Sequence, residues 1–196
     1  MACLAIFASG NGSNFQALAE ALKTSRHSLA FLLCNKRDAY ALERARLLGV
    51  KSYLVEYQGK SRQEAEAEIL KLCQEQAVQL IALAGFMKLL SPFFLKNFAG
   101  PILNLHPSLL PKYPGVDAIR RSYEAGEEEL GISIIKVDEG CDTGPILFQA
   151  SFQRPPHASL EEIEALIHAL EHRHYPQVVL AQLDELDKKL NDQFER

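Results

Sequence analysis

Asn104 and His106, two polar residues two positions apart at the end of the apolar run Ile102-Leu-Asn-Leu-His106, are the pair in this sequence best suited to chemistry. Side chains alternate faces along a strand, so Asn104 and His106 share one side and Leu105 takes the other. Two polar groups able to donate hydrogen bonds therefore converge on one side. A single histidine in an apolar strand is more often a satisfied structural residue, and it is the asparagine at the alternate position that strengthens the catalytic reading. The acidic turn Asp138-Glu-Gly-Cys-Asp-Thr-Gly144 offers carboxylates. Taken alone it reads equally as a solvated hairpin loop, and it lacks the alternating ligand pattern of a calcium loop. If it folds over the strand end, Asp142 meets His106. A carboxylate beside an imidazole favours the protonated ring and raises its pKa, which makes a proton donor near neutral pH.

A second candidate is the loop Gly10-Asn-Gly-Ser-Asn14 after the first apolar run. Glycines let the backbone approach an anion, and amides at a helix start point their donors at it, so a phosphate fits there. A strand-to-helix turn that binds nothing fits as well. A dinucleotide site fits poorly: Phe15 stands where G-x-G-x-x-G has its third glycine, and the second strand ends at Asn35-Lys36 where an acid would hold a ribose.

These residues need a frame. Leu4 to Ala8 reads as a strand, and Phe15, Leu18, Ala19 and Leu22 recur at helical spacing after the glycine loop. Leu29 to Cys34 is a second strand, Ala39 to Leu48 a helix closed by Gly49, Lys51 to Val55 a third strand, Arg62 to Gln76 a helix, and Leu80 to Ala84 a fourth strand. Such alternation predicts parallel strands joined by right-handed crossovers, with helices on both faces. In an open sheet of this kind ligands bind beyond the carboxyl ends of the strands, so the Asn104–His106 pair and the glycine loop should line one cleft. After His106 the alternation breaks, because Pro107, Pro111 and Pro114 forbid an immediate helix and dictate a rigid loop. Gly131 to Val137 and Pro145 to Phe152 are two further strands bracketing the acidic turn. Ser159 to Leu183 is a long closing helix, opened by a Ser159/Glu162 capping box and disturbed at Pro176. Residues 1–183 thus form one domain, and residues 184–196 a charged tail prone to fraying.

The bulk properties narrow the function. A chain of 196 residues, 47% hydrophobic, builds a single core. Its net charge is −4 with the basic residues dispersed, which argues against a nucleic-acid partner. Cys3, Cys34, Cys73 and Cys141 form no C-x-x-C pair, which suits reduced thiols better than disulfides or zinc. No apolar stretch approaches the roughly 20 residues needed to span a bilayer, and Met1 runs into a strand without a leader. The expectation is a cytoplasmic protein with no membrane partner.

Taken together, Ser9-Gly-Asn-Gly-Ser-Asn14, Leu83-Ala-Gly-Phe-Met-Lys-Leu-Leu90, Asn104-Leu-His-Pro-Ser-Leu-Leu-Pro111 with Lys112-Tyr-Pro-Gly115, and the turn from Asp138 to Gly144 resemble the phosphoribosylglycinamide formyltransferases over nearly the whole chain. The Asn-x-His-Pro stretch and the acidic turn mark the wider formyl-folate superfamily, and the glycine loop marks the ribonucleotide branch. The resemblance implies a single-domain Rossmann-like α/β formyltransferase fold, a mostly parallel twisted sheet of about seven strands with an antiparallel C-terminal portion. It implies formyl transfer from 10-formyltetrahydrofolate to glycinamide ribonucleotide in purine synthesis, without a metal, by a monomer or homodimer. Asn104, His106 and Asp142 would be catalytic. Gly12, Ser13 and Asn14 would hold the substrate phosphate and Glu171 its ribose. Arg62, Met87, Lys88, Leu89, Leu90 and Asn104, with Asp138, Glu139, Gly140, Cys141 and Asp142, would hold the folate.

The chain departs from the family at one place: Ser133-Ile-Ile-Lys136 stands where members often carry a histidine, at Ile135. There it looks closer to methionyl-tRNA formyltransferase, whose additional tRNA-gripping domain has no room in this length. A formyltetrahydrofolate deformylase would share the three central residues but use water as acceptor, and usually carries a further N-terminal domain. A non-catalytic nucleotide-binding module that kept the fold is the alternative of a different kind.

Overall fold

The computed structural model describes residues 1–194 as one α/β domain. Strands β1 (Cys3–Ala8), β2 (Ser28–Cys34), β3 (Ser52–Leu54), β4 (Leu80–Leu83), β5 (Ile102–His106), β6 (Glu129–Lys136) and β7 (Ile146–Gln153) form one sheet in the order β3-β2-β1-β4-β5-β6-β7. The first five are parallel, and β6 and β7 are antiparallel to their neighbours. Both the strand number and the antiparallel portion agree with the sequence expectation. Helices α1 (Ser13–Leu22), α2 (Tyr40–Leu48), α3 (Arg62–Glu75), α4 (Pro92–Asn97), α5 (Ala118–Glu124) and α6 (Leu160–Phe194) cover the sheet.

Alternation along each strand divides the core into two layers. Leu4, Ile6 and Ala8 of β1 face Phe15 and Leu18 of α1 and Tyr175, Val179 and Leu183 of α6. Ala5 and Phe7 face the other way, against Ala65 and Ile69 of α3 and Phe94 of α4. The chain builds β1, β2 and β3 outward in one direction, then crosses back to place β4 and β5 on the opposite side of β1. The gap this reversal opens beyond the strand ends is where an open α/β sheet binds its ligands.

Two expectations need correction. The closing helix does not finish at Leu183: α6 runs from Leu160 to Phe194 with Pro176 inside it. A proline within a helix costs about 3 kcal/mol. Here Tyr175, Val179 and Leu183 are all fully buried, each contributing roughly 1.5–3 kcal/mol, and together they outweigh that cost. The Tyr175 hydroxyl lies 3.0 Å from the Leu83 carbonyl and 3.1 Å from that of Leu103, which fastens the helix to β4 and β5. The tail segment expected to fray instead begins as ordered helix, with Asp184 accepting from Arg26 (Nη2, 2.6 Å) and facing His27 (Nε2, 3.2 Å). Residues 195 and 196 lie outside the described ones. The Ser159/Glu162 capping box is present as expected, with Ser159 N donating to Glu162 Oε2 at 2.7 Å and Glu162 N to Ser159 Oγ at 3.2 Å.

Two short helices, α4 and α5, fall where the sequence reading had none. Ser91 caps α4, its Oγ accepting from Phe94 N at 3.3 Å, and Pro92 occupies the first helical position; this Ser-Pro start is a legible signal. Helix α5 starts at Ala118, just after its N-cap Asp117 and past the proline loop, so the prolines delay a helix without excluding it.

Candidate active site

A cavity of about 500 Å³ opens beyond the carboxyl ends of β4 and β5. Asn104 and His106 stand at its base, together with Asp138, Gly140, Cys141 and Asp142 from the acidic turn and Met87, Lys88, Leu89 and Leu90 from the segment after β4. The turn therefore folds over the cleft. Ile135, opposite Asn104 in the β5–β6 pairing, contributes an apolar wall where a histidine was the family expectation.

Asp142 is the centre of the polar geometry. Its Oδ1 accepts from Asn104 Nδ2 at 3.0 Å; its Oδ2 accepts from the Gly115 backbone N–H at 2.8 Å and lies 3.2 Å from His106 Nδ1. Three donor-bearing groups thus converge on one carboxylate that is largely withdrawn from solvent. The other ring nitrogen, His106 Nε2, is 2.8 Å from the Tyr113 carbonyl oxygen. Both ring nitrogens thus have an oxygen nearby, Asp142 Oδ2 at Nδ1 and the Tyr113 carbonyl at Nε2. Tyr113 also fixes the ring so that its Nδ1 edge is the one turned towards Asp142.

Local backbone makes this possible. Tyr113 (φ 56°), Gly115 (φ 80°) and Asp142 (φ 56°) all adopt left-handed conformations, and two of them are not glycine. Strain of this kind, about 1–3 kcal/mol per residue, persists where surrounding contacts impose it. The turn is braced internally by Asp138 Oδ1, which accepts from Gly140 N at 3.0 Å and Thr143 Oγ1 at 2.8 Å. Gly144 ends it by passing so close to the Lys136 carbonyl oxygen that a Cβ there would collide with backbone. Tyr113 and Gly115, whose backbone groups meet His106 and Asp142, are positions the sequence reading did not single out. Their signal was the Pro-Lys-Tyr-Pro-Gly composition, which announced a rigid loop but not which of its backbone groups would meet His106.

Glu139 alone of residues 138–142 does not line the cleft; it faces a separate surface recess beside Pro92, Phe93 and Lys96 of α4. Arg62 sits at the start of α3 and donates from Nη2 to the Leu89 carbonyl, which brings it against the 87–90 segment.

The glycine loop and Glu171 form a second group at the start of α1. Asn14 Nδ2 donates to Glu171 Oε2 at 2.9 Å, and His168 Nδ1 lies 2.8 Å from the same oxygen. Glu171 is buried; its hydrogen bond holds His168 above the ordinary histidine range, while burial pushes His172 below it. Gly12 is the N-cap of α1 in a left-handed conformation, with no side-chain cap, so the first amides of the helix are directed outward without intrahelical partners. Arg44 of α2 fastens the loop from outside, donating from Nε to the Asn11 carbonyl at 2.9 Å and from Nη2 to Asn11 Oδ1 at 2.8 Å. It too was missed, since nothing in a lone arginine on a helix points to a loop 33 residues away.

Gly12 has two reasons to be glycine: its φ of 78° and the packing of α2, since a Cβ would lie 2.6 Å from Ala41 Cβ and 2.7 Å from Ala41 Cα. Gly12→Ala is expected to destabilise the protein by about 2–4 kcal/mol, the sum of backbone strain and an overlap with backbone that cannot easily move. Urea denaturation measures this, and a loss below 1 kcal/mol would show that the loop relaxes freely.

The fold and cleft define a Rossmann-like α/β protein whose Asn–His–Asp centre lies beyond the strand ends. The family model for the formyl transferase domain matches residues 2–179. The phosphoribosylglycinamide formyltransferase of Bacillus subtilis is 43% identical over 178 residues, covering 89% of this chain and 91% of that protein. That of Escherichia coli is 39% identical, covering 90% and 84%. Among solved structures, glycinamide ribonucleotide transformylase 1 from Geobacillus kaustophilus superposes with a TM-score of 0.89 at 40% identity, covering 93% of this chain and 99% of that one. The chain belongs to the formyl transferase family, within its phosphoribosylglycinamide formyltransferase branch.

Proposed function

We propose that the protein transfers the formyl group of 10-formyltetrahydrofolate to the amine of glycinamide ribonucleotide, a step of purine synthesis. The observation that carries this reading is the convergence of the Asn104 amide, the His106 ring and the Gly115 N–H on one carboxylate at the base of an apolar-walled cleft. Donors so arranged stabilise an oxygen that carries negative charge.

In the proposed reaction the amine nitrogen attacks the formyl carbon, and the carbonyl π pair moves to oxygen. Asn104 receives that oxygen with the second of its two N–H groups, the first being engaged by Asp142. His106 faces the same oxygen with its Nδ1 edge, whose N–H it shares with Asp142. Asp142 accepts the proton released by the attacking amine and returns it, through water, to the departing folate nitrogen as the carbon–nitrogen bond breaks. The products are the formylated ribonucleotide and tetrahydrofolate. The apolar wall from Met87 to Leu90 holds the pterin end and excludes bulk water, which strengthens the polar interactions and limits hydrolysis of the donor. The open amides of residues 12–14 take the substrate phosphate and Glu171 the ribose hydroxyls.

Single-turnover assays with 10-formyltetrahydrofolate and either glycinamide ribonucleotide, charged initiator tRNA or water test the assignment. The ribonucleotide is expected to be formylated at least 100-fold faster than either alternative is consumed. Equal or faster transfer to tRNA or to water would reject it.

A further inference from the structure

The segment of residues 87–90 that walls the cleft has no regular structure of its own and presents Met87 and Leu89 largely exposed. Side chains hold it in place. At its front, Met87 N donates to Ser9 Oγ at 2.8 Å. At its back, Ser91 N donates to Glu66 Oε1 at 2.9 Å, and Ser91 Oγ donates to Glu66 Oε2. Between these ends Arg62 donates to the Leu89 carbonyl, and its Nε donates to Glu66 Oε1 at 3.2 Å.

Glu66 is thus the point where the wall, the start of α4 and Arg62 are tied together. Its side chain is completely buried, in an apolar layer that includes Ala65, Ile69 and Phe94. A carboxylate in such a place is costly unless its oxygens are fully engaged. Capping α4 does not require it, because Ser91 Oγ already accepts from Phe94 N. What the carboxylate adds is a rigid link between a cation and one wall of the cleft. An apolar wall of short irregular backbone would otherwise lose conformational freedom when a ligand binds, and that loss weakens affinity.

We infer that Glu66 is a positioning residue for the formyl donor, its buried carboxylate fixing Arg62 and the 87–90 wall as one preformed unit. This rests on the assignment of the cleft to the folate. Glu66 is fully buried and is not among the residues lining the cleft, so its effect falls on donor affinity and not on the chemical step.

Steady-state kinetics of the full chain test it with Glu66→Gln, which keeps the shape but removes the negative charge that holds Arg62 and strengthens the bonds from Ser91. The KM for 10-formyltetrahydrofolate is expected to rise about tenfold, as fits the loss of one hydrogen bond to a charged group. The kcat and the KM for the ribonucleotide should stay within about twofold of wild type. Ser91→Ala, which removes the hydroxyl donor but keeps the backbone bond and leaves no charge unpaired, should raise the donor KM by a smaller factor and covers the case in which Glu66→Gln does not fold. The double variant Glu66→Gln/Arg62→Ala should raise the donor KM by less than the product of the two single effects, since both break the same link. An unchanged donor KM in Glu66→Gln and Ser91→Ala, or a parallel loss of kcat and both KM values with falling stability, overturns the inference. Wild-type turnover is measured alongside, so a wrong assignment of the cleft shows in the wild type and a wrong role for Glu66 only in the variants.

Discussion

Replacing Asp142 by Asn will lower kcat for formyl transfer on the order of 100-fold or more while the protein remains folded. The substitution is isosteric, but Asp142 faces donors with both oxygens: Asn104 Nδ2 at one, Gly115 N and His106 Nδ1 at the other. A carboxamide has one acceptor oxygen, so whichever way the new side chain turns, its NH2 group confronts an N–H. If it confronts Asn104, that amide must rotate and its N–H groups leave the position proposed for the formyl oxygen. If it confronts Gly115 and His106, the ring loses its acceptor. In both cases the negative charge that Asp142 places beside the ring is gone. The group is also proposed to receive the amine proton, so the substitution removes two contributions to the same step. Stopped-flow single-turnover measurement, with thermal denaturation to confirm the fold, is the check. A variant with more than a tenth of the wild-type rate would remove Asp142 from the mechanism.

The second large effect is expected from Asn104→Ala: a fall in kcat of about 100- to 1000-fold, typical of losing one preorganised donor to a developing oxyanion. Asn104 is held in register between Leu83 of β4 and Ile135 of β6, so the variant keeps its strand and loses only the carboxamide. Stability should change by about 1 kcal/mol, the scale of one side-chain hydrogen bond. The KM for the ribonucleotide should hold, because the phosphate and ribose contacts proposed at residues 12–14 and Glu171 lie in a separate group of side chains. A variant whose loss appears wholly in KM would make Asn104 a binding residue without a part in catalysis. The two substitutions also couple: because Asn104 and Asp142 share a hydrogen bond, the double variant should be much less impaired than the product of the two single losses.

Much of the frame was legible from consecutive residues. The spacing of apolar positions in residues 4–8 and 15–22 announced a strand, a turn and a helix, and all three are present. Alternation in Ile102-Leu-Asn-Leu-His106 put Asn104 and His106 on one side, and both line the cleft. These are properties of local backbone geometry, whose periods of 3.6 and 2 residues are written directly into the chain. Where the reading failed, a distant partner had overruled a local preference. Pro176 disfavours a helix, yet the burial of Tyr175 and its neighbours holds one through it; Glu66 drew no notice within the helix from Arg62, and in the fold it is buried with Arg62 and Ser91 engaging it.

The sequence by itself determined which chemical groups are available and which of them share a strand face, since both depend only on residue type and neighbour spacing. The tertiary structure alone decided that Asp142 reaches across 38 positions to Asn104, that a carbonyl at Tyr113 turns the imidazole, and that Glu139 faces away. Such meetings depend on the antiparallel register of β5 with β6 and on the path of two loops. Both are set by the packing of the whole molecule, so no short stretch of residues encodes them.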